Sequence, residues 1–237
     1  SVAYNCWAYR RLGIRLDPET GSILEWRFRA EEPPPLADQI ADIRPDNVRR
    51  LRTPLTEADV RALKAGDFVL VSGVVHTARD AMHKHLIVHD PPTDLSGTLI
   101  YHCGPVVIKD DDGHWNVRAA GPTTSIREEP YEAEVLRRTG ARAVCGKGGM
   151  STRTQTALQE FGAVYLNAIG GAAAYYAERV VEVEDVFMLE EFGVPEAMWQ
   201  LRVEDFPAIV TMDAHGQSLH QEIEARSAER LRALSGE

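Results

Sequence analysis

Ala141-Arg142-Ala143-Val144-Cys145-Gly146-Lys147-Gly148-Gly149-Met150 leads through Ser151 into Thr152–Phe161 and then into Ala163-Val164-Tyr165-Leu166-Asn167-Ala168. Residues 141–145 read as a short apolar strand and 146–149 as a glycine loop. Residues 152–161 read as a helix with Leu158 and Phe161 on one face, and 163–168 as a second buried strand. Neither strand alternates with polar residues, as expected where both faces of a sheet are covered. A strand, a loop, a helix and a strand of these lengths imply parallel pairing with the helix packed across it. Gly170-Gly171 then opens another helix over 172–179.

The same grammar extends in both directions. Thr56 is a good N-cap with acids behind it, and Gly66 closes that helix. Residues 68–75 form a nearly continuous apolar strand, and a helix over 79–89 stops at Pro91-Pro92. Strands at 99–103 and 106–109 flank Gly104-Pro105, and Asp110-Asp111-Asp112-Gly113 turns the chain into 115–117. A helix over 132–138 ends at Gly140, strands follow at 183–189 and 208–212, and 218–234 is a charged helix. The predicted fold class is α/β, a mixed, largely parallel sheet in residues 54–237.

Residues 1–29 read as a strand-rich N-terminal arm, with a turn at Asp17-Pro18-Glu19-Thr20-Gly21 and alternation over 23–29. Glu31-Glu32-Pro33-Pro34-Pro35 runs extended, so 30–53 is the expected linker. The opening Ser1-Val2-Ala3-Tyr4-Asn5-Cys6-Trp7 is already strand-like, and sets the expectation that the chain continues a longer protein.

The chain has 237 residues, 44% hydrophobic and 26% charged, which suits one domain with an appended arm. Its net charge of −10 argues against nucleic acid as a partner. Its apolar runs fall far short of the roughly 20 residues of a membrane span, so no membrane partner is expected. Three scattered cysteines, Cys6, Cys103 and Cys145, make no disulfide framework, and a reducing cytoplasm is the expected setting.

Against that acidic background three cationic segments stand out. Arg79 begins a helix after an apolar strand, with His83 expected on the same face and Lys84 nearby; this suits an anion or simply a solvated basic helix start. Gly121-Pro122-Thr123-Thr124-Ser125-Ile126-Arg127 carries three hydroxyls. One would suffice to cap a helix, so a carboxylate clamp is the better account. Lys147 sits among glycines at a strand's carboxyl end, where open α/β sheets hold ligands, although a plain turn with Lys147 in solvent has the same pattern. Neither a Walker loop nor a dinucleotide fingerprint is present. Cys103 and Cys145 read as core, as Cys6 equally could, and His102, His114, His215 and His220 lack metal-ligand spacing.

Together, Thr77-x-Arg79-Asp80-x-x-His83-Lys84, Gly121-Pro122-Thr123-Thr124-Ser125-x-Arg127 and Gly146-Lys147 resemble the β region of class I, iron–sulfur fumarate hydratases. So do residues 163–173 (Ala-Val-Tyr-Leu-x-Ala-Ile-Gly-Gly-Ala-Ala) and Glu191-Phe192-Gly193-x-Pro195-Glu196-Ala197. The likeness runs over nearly the whole chain. Tartrate dehydratases and mesaconate hydratases share much of the pattern, with Gly170-Gly171-Ala172-Ala173 closer to fumarases. The resemblance implies a swivelling β/β/α domain over a 4Fe–4S cluster, one iron of which binds substrate as a Lewis acid. It implies Cys6, in Asn5-Cys6-x-Ala8-x-Arg10, as the third cluster cysteine, which makes residues 1–29 the end of the cluster-binding domain. It further implies Arg79, Arg127 and Lys147 as carboxylate binders and Thr123 as the base that takes the C3 proton of malate. The expected partners are a small dicarboxylate, the N-terminal cluster domain of the same enzyme, and a second copy in a homodimer. With one of three cluster cysteines present, neither a cluster nor much turnover is expected of this chain alone. A non-catalytic anion-binding module and a phosphate- or nucleotide-binding domain using Lys147 are the competing classes.

Overall fold

The computed structural model describes residues 14–17, 20, 23–26 and 48–235. The chain divides into two compact units, Ser1–Pro45 and Asp46–Glu237. In the first, β1 (Ile14–Leu16) pairs antiparallel with β2 (Ile23–Trp26). In the turn between them the Thr20 N–H donates to the Asp17 carboxylate at 2.9 Å. Cys6 lies outside the described residues, as do 30–47 of the expected linker. Val48–Arg52, also inside that stretch, is β3 of the second unit's sheet.

The second unit continues with α1 (Glu57–Arg61), β4 (Phe68–Thr77), α2 (Asp80–Leu86), β5 (Leu99–Tyr101), β6 (Val106–Lys109) and β7 (Trp115–Ala119). Then come α3 (Glu129–Thr139), β8 (Ala143–Gly146), α4 (Thr152–Phe161), β9 (Val164–Asn167) and α5 (Ala173–Ala177). It ends with β10 (Val180–Phe187), α6 (Leu189–Phe192), β11 (Met198–Met212) and α7 (Leu219–Ser235). Strand order in the seven-stranded sheet is β10-β11-β9-β8-β5-β4-β3. The pairs β3/β4, β4/β5, β5/β8 and β8/β9 are parallel, whereas β11 runs antiparallel to β10, β9 and β4. The expected mixed, mostly parallel α/β sheet is therefore present. Because β11 reaches both β9 and β4, the pairing β4–β5–β8–β9–β11 returns to β4 and leaves that ring without a free edge.

Period-two alternation fills both sides of the parallel strands. Leu99, Tyr101, Ala143, Cys145, Val164 and Leu166 join one buried cluster with Trp199 and Leu201. The intervening Ile100, Val144 and Tyr165 join another, with Met82 and Leu86 of α2, Leu136 of α3 and Leu158 of α4. This two-sided burial explains the unbroken apolar runs.

Boundaries shift for local reasons. The strand expected at 208–212 begins at Met198: its first part alternates polar with apolar residues, and Pro207 sits just past an irregularity in the ladder between Val203 and Phe206. Asp205, at φ 47°, makes that bend. The helix expected at 132–138 starts at Glu129, where Pro130 fits the first turn. No helix among the described residues is long and apolar enough to cross a membrane.

Candidate active site

Parallel strands β4, β5 and β8 end side by side, and each delivers a polar residue to the same edge. Arg79 lies just past β4, His102 just past β5 and Lys147 just past β8. This carboxyl-terminal edge is where parallel sheets hold ligands. The hydroxyl loop is stitched onto it by backbone bonds. Thr123 N–H donates to the His102 carbonyl at 2.6 Å, Lys147 N–H to the Thr123 carbonyl at 3.1 Å, and Ser125 N–H to the Lys147 carbonyl at 3.0 Å. Thr124 and Lys147 thereby form a parallel bridge. Thr123 and Lys147 are half-buried, and Arg127 is exposed at the end of a 3-10 turn spanning Ser125–Arg127.

None of the three hydroxyls caps a helix. Thr124 precedes the 3-10 turn without a side-chain bond, and Ser125 turns fully inward. There Ser125 Oγ accepts from the Tyr165 hydroxyl at 2.9 Å and lies 2.9 Å from His102 Nδ1. Gly146 makes room for this: a Cβ at that position would collide with Ser125 Oγ and stand 3.1 Å from His102 Nδ1. Gly149, at φ 75°, is needed for its backbone, and its N–H reaches the Tyr165 hydroxyl at 3.3 Å. Gly146→Ala is expected to push Ser125 out of its slot and to lower stability by about 1–3 kcal/mol, as overpacking does. Urea denaturation checks this, and an unchanged midpoint would show that the loop has slack.

The cationic face expected of Arg79, His83 and Lys84 does not form. Arg79 occupies the N-cap position in extended backbone, outside the helix, so the i,i+4 relation does not carry its side chain beside His83. Lys84 is exposed and pairs with Asp80 at 2.7 Å. Arg79 Nη2 instead lies 3.3 Å from Glu196 Oε1, and Glu196 Oε2 accepts the Ala81 N–H at 2.9 Å. Glu196 thus aims the guanidinium, while Arg79 Nε is buried without a partner.

His83 is fully buried. Its Nδ1 donates to the Arg79 carbonyl at 3.0 Å, and its Nε2 lies 3.2 Å from Glu132 Oε2. His102 Nε2 is 3.0 Å from the same oxygen, off the hydrogen-bond axis. Burial alone would push the His83 imidazolium down, but Glu132 and Glu128 beside it raise its pKa. Burial would likewise push Glu132 up, yet His83 and His102 hold its carboxyl at about 2. Both shifts favour the ionised pair inside the protein. Burial lifts Glu128, whose Oε2 has no hydrogen-bond partner. His102, which lacks ligand spacing along the chain, thus meets His83 and Glu132 with all three donor atoms within 4.8 Å of one another.

Cys103 and Cys145 are buried in the core as expected. Burial pushes the Cys103 thiol up to about 12 and raises Cys145 as well, so both stay protonated and neither offers a thiolate. Among the described residues no set of donors suits an iron–sulfur cluster.

Two participants, His102 and Glu132, lie outside every motif, and two more, Tyr165 and Glu196, lie inside motifs without a role being read for them. Glu132 did leave a signal, since it shares the helical stripe of Val135, Leu136 and Thr139, all buried, where a lone carboxylate demands a partner.

A family model described as Fumarase C-terminus matches residues 27–223. A protein of Geobacillus stearothermophilus assigned as a class I fumarate hydratase is 55% identical over 238 residues, covering 98% of this chain and 46% of the relative. This chain thus spans about half the length of that relative. A Methanocaldococcus jannaschii protein assigned as an L(+)-tartrate dehydratase subunit beta is 42% identical over 188 residues, covering 77% of the chain and 96% of the relative. The L(+)-tartrate dehydratase subunit beta of Escherichia coli K12 is 40% identical over 183 residues, covering 76% and 90%. With the model matched across most of its length, this chain belongs to the Fumarase C-terminus family.

Proposed function

We propose that this chain is the C-terminal part of a hydro-lyase that interconverts fumarate and L-malate, and that it supplies the carboxylate-binding half of the site. The observation that carries the reading is the backbone stitching of Thr123 to Lys147 at the strand edge that also bears Arg79. The residues so joined are a threonine and a lysine, in a chain of net charge −10. The family membership and the relative named as a class I fumarate hydratase support it.

In this reading Arg79, Arg127 and Lys147 take the two carboxylates as charge-assisted donors. Thr123 Oγ then faces C3 of malate and removes its proton. A threonine hydroxyl is a poor base in water, so the cations on the same two loops must stabilise the charge that develops. The group that protonates the departing hydroxyl lies on the enzyme's N-terminal cluster domain, over which this unit closes as a swivelling β/β/α domain. A 4Fe–4S cluster held there, with Cys6 as one ligand, would act as Lewis acid toward that hydroxyl. Residues 1–29 would end that domain, and the part of the 30–53 stretch before β3 would link it to the swivelling unit. The enzyme is read as a cytoplasmic homodimer.

The relatives named as tartrate dehydratase beta subunits favour a second reading, the same chemistry on L-tartrate; mesaconate is a third dicarboxylate of the same class. Turnover of fumarate, tartrate and mesaconate by the complete enzyme, with its cluster intact, separates them. Fumarate hydration is expected, and turnover of tartrate or mesaconate alone would overturn the substrate assignment. In the same assay Lys147→Ala should raise KM roughly ten- to a hundredfold, the loss expected for one charge-assisted bond of about 1.5–3 kcal/mol. An unchanged KM would remove Lys147 from the carboxylate site.

A further inference from the structure

Three loops carry the proposed site, yet they come from segments far apart in the chain, and backbone bonds stitch only two of them together. Beneath them runs a buried chain of polar side chains. It starts at the Arg79 carbonyl, which accepts from His83 Nδ1 at 3.0 Å, and passes to Glu132 Oε2 through His83 Nε2 at 3.2 Å. His102 Nε2 approaches the same oxygen at 3.0 Å, and its Nδ1 meets Ser125 Oγ at 2.9 Å. Tyr165 donates to that Oγ at 2.9 Å and accepts from Gly149 N–H at 3.3 Å. The chain therefore touches the Arg79 loop, the Thr123 loop through Ser125, and the Lys147 loop through Gly149. His83, His102, Ser125 and Glu132 are each fully buried, so no water competes for these bonds.

A core of this size does not need four buried polar side chains to fold, since apolar residues of the same shape stabilise as well or better. What the hydrogen-bonded links of such a chain supply is a single geometry. The hydrogen-bonded links are directional, whereas His102 Nε2 meets Glu132 by proximity, off the hydrogen-bond axis. A carbonyl only accepts, so His83 Nδ1 must carry hydrogen, and Glu132 as a carboxylate must then receive from Nε2.

We infer that His83, Glu132, His102 and Ser125 are positioning residues that lock the Arg79, Thr123 and Lys147 loops into one arrangement. Thr123 Oγ then stands at a fixed place relative to the cations that hold the substrate. The inference deepens the proposed function and rests on it for its catalytic consequence. None of the four touches substrate; they act through Arg79, Thr123 and Lys147.

The test uses the complete enzyme. Ser125→Ala removes the hydroxyl where the Thr123 loop joins the chain, while sparing the His83–Glu132 pair. Its kcat should fall about ten- to a hundredfold with KM within about threefold, the effect of a reacting group displaced by a fraction of an ångström. Hydrogen exchange at the Thr123, Ser125 and Lys147 amides should speed up in the same variant, and that readout needs no substrate. Tyr165→Phe, which keeps the Ser125–His102 contact but cuts the link to Gly149, should speed exchange at the Lys147 amide with a smaller loss of kcat, and it tests the locking even where the first variant fails to fold. Unchanged exchange and kcat in folded Ser125→Ala would overturn the inference. So would a stoichiometric transition metal, beyond cluster iron, that leaves with His102→Gln, since the trio would then be a metal site. Faster exchange in an enzyme that turns over none of the dicarboxylates would support the locking and sink the functional reading instead.

Discussion

Thr123→Ala in the complete enzyme is expected to lower kcat about 10²- to 10⁴-fold, the range for losing a positioned proton-transfer group. That corresponds to about 3–5 kcal/mol of transition-state stabilisation. KM should stay within about threefold, because the backbone keeps its place: Thr123 N–H still donates to the His102 carbonyl, and the Thr123 carbonyl still accepts from Lys147 N–H. A group that acts only as the bond breaks belongs in kcat, whereas a cation that grips the ground state belongs in KM. This contrast separates Thr123 from Lys147. Exchange of the C3 proton of malate with deuterated solvent should vanish with turnover, and Thr123→Ser should recover it to within about tenfold. Full turnover by Thr123→Ala would dismiss this residue as the base. The neighbouring Thr124 would then be the hydroxyl to test, since it is the other half-buried one on the loop.

Much of the fold and part of the site can be read from the residue order, and the division has a physical cause. Strands β8 and β9 are buried on both faces and β4 is buried on one and partly covered on the other, so their apolar runs announce them. Glycines such as Gly146 and Gly149 mark the loops because only glycine suits that crowding and that φ. The cations Arg79 and Lys147 stand out in an acidic chain because each follows an apolar strand, whereas Arg127 lies exposed on the 3-10 turn. By contrast, β11 hides behind an alternation of polar and apolar residues, with a bend at Asp205 that local pattern cannot connect. The His83–Glu132–His102 grouping hides for another reason. Its members come from α2, α3 and the end of β5, and only the sheet order brings these together. Arg79 and Glu196 meet in the same way, across more than a hundred residues. Periodicity finds what an element buries, but not which buried polar groups will meet.

Glu132→Gln is expected to destabilise the fold by about 3–5 kcal/mol near pH 5–6, the usual cost of removing one partner from a buried ion pair. For a unit of this size that lowers the thermal midpoint by roughly 10 °C. The pH dependence distinguishes the pair from a simple packing defect. The Glu132 carboxyl sits at about 2 against an ordinary 4.5, so its contribution is complete above 4.5 and is lost as pH falls toward 2. His83 is raised above its ordinary 6.5, so its contribution is complete below 6.5 and is lost as pH rises through the folded value. The gap between wild type and variant should therefore be widest between these limits and shrink on either side. Above neutrality a neutral His83 needs no counter-charge, and the amide that Glu132→Gln introduces can donate an N–H to Nε2, which then carries no hydrogen. Glu128, His102 and Asp80 also face this pocket, but Glu128 cannot replace Glu132: its Oε2 stands 3.7 Å from His83 on the Nδ1 side. His83→Gln combined with Glu132→Gln should cost less than the two single changes added together, because neither leaves a charge behind. Thermal unfolding at pH 5.5 and 8.5 for the four proteins measures this directly. A gap that stays constant across pH would mean that His83 and Glu132 share a neutral hydrogen bond, and the ionised pair would have to be abandoned.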